Sequence, residues 1–558
     1  MADNNKRAGT NFLIQGSILA VASVIVRLIG IVYRIPLTNI LGDGGNSAYS
    51  NAYAIYSLIW MIASFGIPTA VSKMVAERLG SNQGRNSKRV FYTALGFATL
   101  VGGLAFGILF FGAGFFANVV YGRPEIRYAL MVLAPTVWVS AFLGAFRGYF
   151  QGHGDMVPTA ISQIFEQIVN AVMSLVGAWY LWNMGRRIDL LQSGTQMEDA
   201  LGAAGGTVGT LAGAVAGVLV CIVIYKLYFT KMMDDDGLSK NEDYTYLFKT
   251  LILMILPITL NSAIYNISSV LDASIYSNFA KFAGIPNDIY KINWNAYEGK
   301  YHLLTHVPLA FATALASSAV PDLSRSLRTA RPSVINRKIN MAIRFALLVA
   351  IPSAVGLAVL GMPIMQLLFA STPASNELAS KLLVFGGITV ILYSFSTLTN
   401  GILQGIGKVS TPARNAAISL AGHIVILIVF LFVLPFDIYG VVVSDIIFGL
   451  MMNIMNYVSI YRAIRFKMDI AAIFLRPLGA SAIMGGAAYG CYRLLMMATH
   501  RNSVSCLASI AAAVIVYALC LLITGSITEE DLKSFPKGAA LTRLAKKTHL
   551  LRSGKSAR

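Results

Sequence analysis

Charge is what this sequence has least of. Asp, Glu, Lys and Arg together make up 12% of its 558 residues, about half the share of a soluble domain. Acidic groups are the scarcer sign, 25 against 44 basic ones. Cysteine is almost missing too. Cys221, Cys491, Cys506 and Cys520 lie in apolar segments without C-x-x-C spacing, which points away from a disulfide framework and from a metal site. Walker, H-E-x-x-H and G-x-S-x-G patterns are also missing, so the chain offers no recognised machinery for nucleotide or acyl hydrolysis. Apolar residues are abundant instead, at 56%, and they recur in long segments from end to end. A soluble domain on a single anchor is excluded. The chain reads as an all-α polytopic membrane protein.

The formal charge of +19 does not call for a nucleic-acid partner. Lys and Arg gather in alternate short loops and in the tail, which is the positive-inside pattern and places both termini in the cytoplasm. The N-terminal apolar stretch is too long for a signal-peptide core and reads as a retained first span.

At about 20 apolar residues per crossing, the chain accommodates about fourteen spans. Residues 148–154 read GYFQGHG and residues 401–407 read GILQGIG, 253 positions later, each soon followed by a proline, Pro158 and Pro412. Both fit G-x-x-Q-G-x-G at the junction of the fourth and fifth span of a half. A six-plus-six duplication with two extra helices follows, with both halves entering from the same side as a parallel repeat. The expected divisions are an N-terminal lobe over 1–233, a linker at 234–246, a C-terminal lobe over 247–468, two further spans over 469–526 and a basic tail over 527–558. The tail reads either as a basic amphipathic helix on the inner leaflet or as a disordered segment.

Polar residues inside the spans are the candidates for function. Arg27 and Arg34 sit seven residues apart in VRLIGIVYRIP (26–36), hence on nearly one face of a helix. Arg34 is close enough to a span end to snorkel; Arg27 lies deeper. Asn261, Tyr265, Ser268 and Asp272 form one stripe on the seventh span, and Gln163, Glu166 and Asn170 another on the fifth. Asn415, Ser419 and His423 form a third on the eleventh. A polar cavity and interhelical hydrogen-bond glue both account for such stripes. Lys73 and Glu77 read as a surface ion pair. His302, His306 and Asp445 carry less weight, His302 and His306 as proton-sensing candidates and Asp445 as a packing cap.

The R-x-x-G-x-x-Y-R-x-P pattern (Arg27, Gly30, Tyr33, Arg34, Pro36) resembles the multidrug/oligosaccharidyl-lipid/polysaccharide exporter superfamily. FRGYFQGHGDMVPTAISQIFEQI (146–168) and VPLAFATALASSAVPDLS (307–324) carry the same likeness. It is closest to the polysaccharide-biosynthesis branch, with its lipid II flippases and its stage V sporulation protein B group.

The resemblance implies two six-helix lobes with alternating access in a bacterial cytoplasmic membrane, and a groove for a lipid tail at the last two helices. It implies a flippase for undecaprenyl-pyrophosphate-linked glycans, lipid II first among them, and not an enzyme. Another polyprenyl-linked repeat unit is one alternative cargo, and a cation-coupled multidrug exporter is an alternative function. A membrane-embedded glycosyl polymerase would need a larger outward loop than the chain offers. Arg27 and Arg34 become candidate pyrophosphate ligands, joined by Asp272, Glu166, Asn261, Ser268 and Gln163 as substrate-binding candidates. The expectation includes no cofactor or metal, coupling to the membrane potential or to H+ or Na+, membrane lipids as the surroundings, and function as a monomer. Two features depart from the lipid II flippases. The arginine spacing is seven where six is usual, and Lys73, Lys300 and His302 stand where further arginines are expected.

Overall fold

The computed structural model describes residues 2–192, 196–229, 241–313, 316, 332–370, 373–408, 410–434 and 436–525. The tail, most of the acidic linker stretch and part of 307–324 lie outside the described residues. Among those described, every regular element is helical. Ten helices are long and apolar enough to cross a membrane, or eleven if the bent pair Pro373–Gly386 and Ile388–Gly405 is one span. The chain is therefore a multi-pass membrane protein, and fourteen spans remain the expectation from sequence. The difference lies at three places. One uninterrupted run, Val21–Gly80, covers two expected spans, while the expected spans 247–279 and 296–324 both include residues that lie, wholly or in their side chains, outside those described.

The run cannot be a single crossing. Sixty residues at 1.5 Å each would reach about 90 Å, three times the hydrocarbon thickness. It parts at Gly42, whose φ of 65° and ψ of −168° break helix α1 (Ala2–Trp60) internally. That backbone region is essentially restricted to glycine.

By contacts the chain forms two compact units, Met1–Asn295 and Ala296–Arg558. The first unit holds α1, then α2 (Ile67–Gly80), α3 (Gly84–Phe97), α4 (Gly103–Phe115), α5 (Ile126–Gly152), α6 (Val157–Leu191), α7 (Met197–Ile224), α8 (Tyr244–Phe282) and α9 (Asn287–Trp294). Its best-defined core gathers Val71, Met74 and Val75 of α2, Val90 and Phe91 of α3, Phe146, Tyr149 and Phe150 of α5, and Leu247 and Leu251 of α8. Glycines let these helices approach closely, which is how packing is gained in lipid, where apolar burial between helices gains little over lipid contact. A Cβ at Gly148 would lie 2.7 Å from the Val71 Cβ, and one at Gly152 would lie 2.6 Å from the Val75 Cβ. On α7, Gly205, Gly209 and Gly213 press against the backbone of α6 at Gly177, Asn170 and Glu166.

Helix α8 is tied to its unit at both ends. At its start, the Glu242 carboxylate accepts from Arg78 Nε at 3.0 Å and Nη2 at 2.5 Å. The Glu242 carbonyl accepts from Arg89 Nε at 2.7 Å, and its N–H donates to Asn86 at 3.0 Å. At the other end, Ser274, Ser277 and Asn278 donate to the carbonyls of Val120 and Tyr121. These ties explain why the division by contacts falls at Asn295.

The second unit contains α10 (Pro332–Val359), α11 (Gly361–Leu368), α12 (Pro373–Gly386), α13 (Ile388–Gly405), α14 (Thr411–Ile428), α15 (Ile438–Ile464), α16 (Arg476–Thr499) and α17 (Asn502–Ile523), after a helical segment over 296–313. Its main core joins Ile343, Leu347 and Ile351 of α10 to Leu398 and Ile402 of α13. The last two helices pack on α10, with Tyr517 donating to the Leu348 carbonyl at 2.9 Å.

The two G-x-x-Q-G-x-G copies adopt one geometry. Helix α5 ends at Gly152 and α13 at Gly405, the matched residues. Gly154 and Gly407 then take φ of 78° and 81°. Gly154 donates to Gln151 and Asp155 to Phe150, as Gly407 donates to Gln404 and Lys408 to Leu403. A proline opens the next helix in each case. Matching hydrogen bonds around a left-handed glycine support the duplication far better than a seven-residue string does.

Candidate functional site

Arg27 and Arg34 lie on α1 before its break. Arg27 is exposed and Arg34 half-buried. Between them, Gly30 faces α6, where a Cβ would come within 3.3 Å of the Gln167 side-chain nitrogen. The arginine-bearing face of α1 is thus turned towards the helix that carries Gln163 and Glu166.

Arg34 is not an isolated cation. Its guanidinium carbon lies 5.6 Å from the ring centre of Tyr49 and 5.4 Å from that of Tyr53, within the range of a cation–π contact. The two rings stack on each other at 5.7 Å and 19°. Tyr49 is 1% exposed and is backed by α7, where a Cβ at Gly206 would meet its ring at 3.2 Å.

Glu166 is paired. Arg147, from the FRGYFQGHG stretch of α5, reaches Glu166 Oε2 with Nη2 at 2.6 Å and Ser162 Oγ with Nε at 2.9 Å. Sequence reading missed this arginine. A carboxylate held by a guanidinium is a poor carrier for a transported cation, and it supplies a local counter-charge instead. Asn170 accepts from Ser174 at 3.0 Å and sits against α7 at Gly213, so that end of the stripe is interhelical packing. Gln163 is half-buried beside it.

On α8, Asp272 is buried and Ser268 donates to its Oδ2 at 3.2 Å. The side chains of Asn261 and Tyr265 lie outside the described residues. Other polar side chains have partners within their own unit. Lys73 and Glu77 form an exposed i, i+4 pair at 3.9 Å, as their spacing indicates. Asn415, Ser419 and His423 are each 0% exposed. Asn415 donates to Asn456, which donates to Thr399 and Asn400, so Asn415 is hydrogen-bond glue between α14, α15 and α13. Asp445 accepts from Tyr297 at 2.6 Å and Tyr393 at 3.2 Å. His302 lies 3.1 Å from Glu298 and against the His306 ring. Lys300 is 0% exposed and donates to Ser375 and Asn376, the environment of a buried structural ammonium.

A second polar cluster of the first unit, at the end away from the 78–89 turn, was also missed. Lys291 of α9 meets Asp199 of α7 at 2.5 Å, both nearly buried. Asp189 accepts from the backbone of Met197 and Glu198 at the start of α7. Arg123 bonds Ser277 and Asn287 and stacks 3.7 Å over Tyr290. Asn51 donates to the Tyr290 hydroxyl. Helical periodicity flags none of these residues, because each owes its partner to a turn or to a distant helix.

The chain is 27% identical to the protein "Lipid II flippase MurJ" of Bacillus subtilis (strain 168), over 75% of this chain and 76% of that protein. It is 22% identical to the same organism's "Stage V sporulation protein B", over 95% and 98%. Among solved structures, the fold matches a lipid II flippase MurJ in its inward closed conformation, with a TM-score of 0.66, 15% identity and coverage of 91% and 98%. It also matches an inward-facing multidrug resistance MATE family transporter of the MOP superfamily, with a TM-score of 0.63, 15% identity and coverage of 79% and 96%. At these identities the structural likeness establishes the fold of that superfamily. The polysaccharide biosynthesis protein family model matches residues 13–327, more than half of the chain. The chain therefore belongs to the polysaccharide biosynthesis protein family.

Proposed function

We propose that this protein is a lipid-linked oligosaccharide flippase of a bacterial cytoplasmic membrane. Its cargo is an undecaprenyl-pyrophosphate-linked precursor, peptidoglycan lipid II first among the candidates, carried from the inner to the outer leaflet by alternating access. The observation that carries the reading is the pair Arg27 and Arg34 on one face of α1, with Arg34 seated against two tyrosines. Guanidinium groups bind phosphate oxygens through charge-assisted, bidentate hydrogen bonds. A site shielded from water strengthens each of those bonds. Bound pyrophosphate would in turn neutralise cations that are costly in an empty membrane site.

In this reading the protein is a transporter and not an enzyme. It works as a monomer among membrane lipids, with both termini cytoplasmic and no cofactor. With no nucleotide-hydrolysis motif, the driving force is the membrane potential or a gradient of H+ or Na+. The lobes are the two halves of the duplication, joined at 234–246, and the last two helices offer the lipid-tail groove. Gln163, Asn261, Ser268 and Asp272 are proposed to contact the glycan or phosphate. Glu166 contributes through its pair with Arg147. That pair argues against a cation-coupled drug exporter, which would use an unpaired carboxylate. A different polyprenyl-linked repeat unit would use the same arginines.

The test is translocation of fluorescent lipid II in proteoliposomes by the intact protein and by Arg27→Ala. The intact protein should move lipid II, and the variant should slow about tenfold or more, the loss of one charge-assisted bond. Equal rates for the two would remove the arginine site. A folded, intact protein that leaves lipid II in place would exclude that cargo.

A further inference from the structure

Arg34 and Tyr49 are fifteen residues apart. In an unbroken helix their Cα atoms would stand about 22 Å apart, beyond the combined reach of the two side chains. Yet the guanidinium sits 5.6 Å from the Tyr49 ring and 5.4 Å from Tyr53. The contact exists because α1 turns back at Gly42. Nothing stands within 4 Å of a Cβ at that position, so the demand for glycine there comes from the backbone and not from packing.

The two rings are well placed to hold a guanidinium. They stack on one another, and the Tyr56 ring lies tilted against Tyr53 at 5.3 Å. Tyr49 is closed in by α7 at Gly206 and by Leu37, which shares that contact. A flexible arginine loses side-chain freedom on binding an anion. Fixing it beforehand against flat, rigid rings removes part of that cost.

We propose that Tyr49 and Tyr53 are positioning residues that hold Arg34 ready for a pyrophosphate-bearing polyprenyl lipid, in a site assembled by the reversal of α1 at Gly42. The proposal rests on the flippase reading and adds the residues that set the affinity of its cationic site. They need not touch the lipid. Their action passes through Arg34, so their effect should vanish when Arg34 is gone.

The experiment measures binding of a polyprenyl pyrophosphate to the full chain in nanodiscs, with thermal unfolding recorded for each variant. Tyr53→Leu should weaken binding about 3- to 30-fold, and Tyr53→Phe, which keeps the ring, should restore most of it. Tyr49→Leu and Tyr49→Phe should follow the same order. In an Arg34→Ala background, Tyr53→Leu should cause no further loss. A Phe variant as weak as the Leu variant would overturn the proposal. So would a Tyr53→Leu loss that persists in full without Arg34. If Arg34→Ala alone leaves binding unchanged, the cationic site fails, and its positioning residues with it. If Arg34→Ala weakens binding while all four tyrosine variants bind normally, only the positioning role fails. Should Tyr49→Leu unfold, Tyr53→Leu and the two Phe variants decide the matter on their own.

Discussion

A single methyl group at Gly148 would meet the Val71 side chain at 2.7 Å and the Pro68 carbonyl at 2.8 Å. Backbone cannot yield there without moving α2 away from α5. Gly148→Ala should therefore cost about 1–3 kcal/mol, the usual penalty of overpacking, seen as a lower midpoint of thermal unfolding in detergent. Its repeat partner, Gly401, has more room, with Ala316 at 3.2 Å. Gly401→Ala should be the milder change, and equal losses would contradict the geometry. His153, in the turn after α5, gives a residue-scale test by pH. Burial against Tyr149 and Phe229 lowers its pKa from 6.5, and a backbone contact to Tyr149 and the nearby Asp155 only partly offset this. A lowered pKa means the folded chain resists protonation more than the unfolded chain does. This stabilising contribution is complete above pH 6.5 and declines as pH falls through the lowered folded value. Thermal stability should fall over that range more steeply in the intact protein than in His153→Asn. Parallel curves would show that His153 contributes nothing.

At the scale of elements, the sequence pattern fixes which face of a helix is polar but not what stands opposite. The stripe Asn415, Ser419, His423 was legible as a stripe, yet its partners on α15 were not. Glu166 was legible as an acid inside a span, while Arg147 lay in a motif valued for its glycines. Arg78 and Glu242 are separated by the five helices α3 to α7, and no periodicity relates them. The Lys291–Asp199 pair is of the same kind, and it ties the short α9 to the start of α7. Lys291→Met should cost about 3–5 kcal/mol, because Asp199 would be left buried and unpaired. The double variant Lys291→Met with Asp199→Leu should recover a large part of that loss. Thermal unfolding of the three proteins in detergent checks this, and a double variant weaker than the sum of the two single ones would contradict the pairing. At the start of α8, Glu242→Gln should weaken the hold of Arg78. The backbone amides near residue 244 should then exchange hydrogen faster, with little change in α5.

For the whole molecule, the all-helical, multi-pass plan followed from apolar run lengths alone, and one seven-residue match pointed to two turns of the same geometry. Both were legible because bilayer thickness sets span length and because a left-handed turn demands glycine at fixed offsets. Residues 234–246 read as a linker by charge, while the hydrogen bonds that tie both ends of α8 to the first unit left no signal in the sequence. The reversal at Gly42 was hidden within an apolar stretch, where a glycine carries no signal of its conformation. With it went the tyrosine seat of Arg34, although both arginines were visible as charges in an apolar run.

On the proposed function, the chain moves a pyrophosphate-linked lipid through a site built on Arg27 and Arg34. The most direct measurement is outward exposure of lipid II in cells depleted of their own flippase and supplied with this protein, intact or as Arg34→Ala, at matched membrane levels. Exposure should be restored by the intact protein and should drop about tenfold or more in the variant. Restoration by both proteins alike would contradict the arginine site, and restoration by neither, with both folded in the membrane, would contradict lipid II as the cargo.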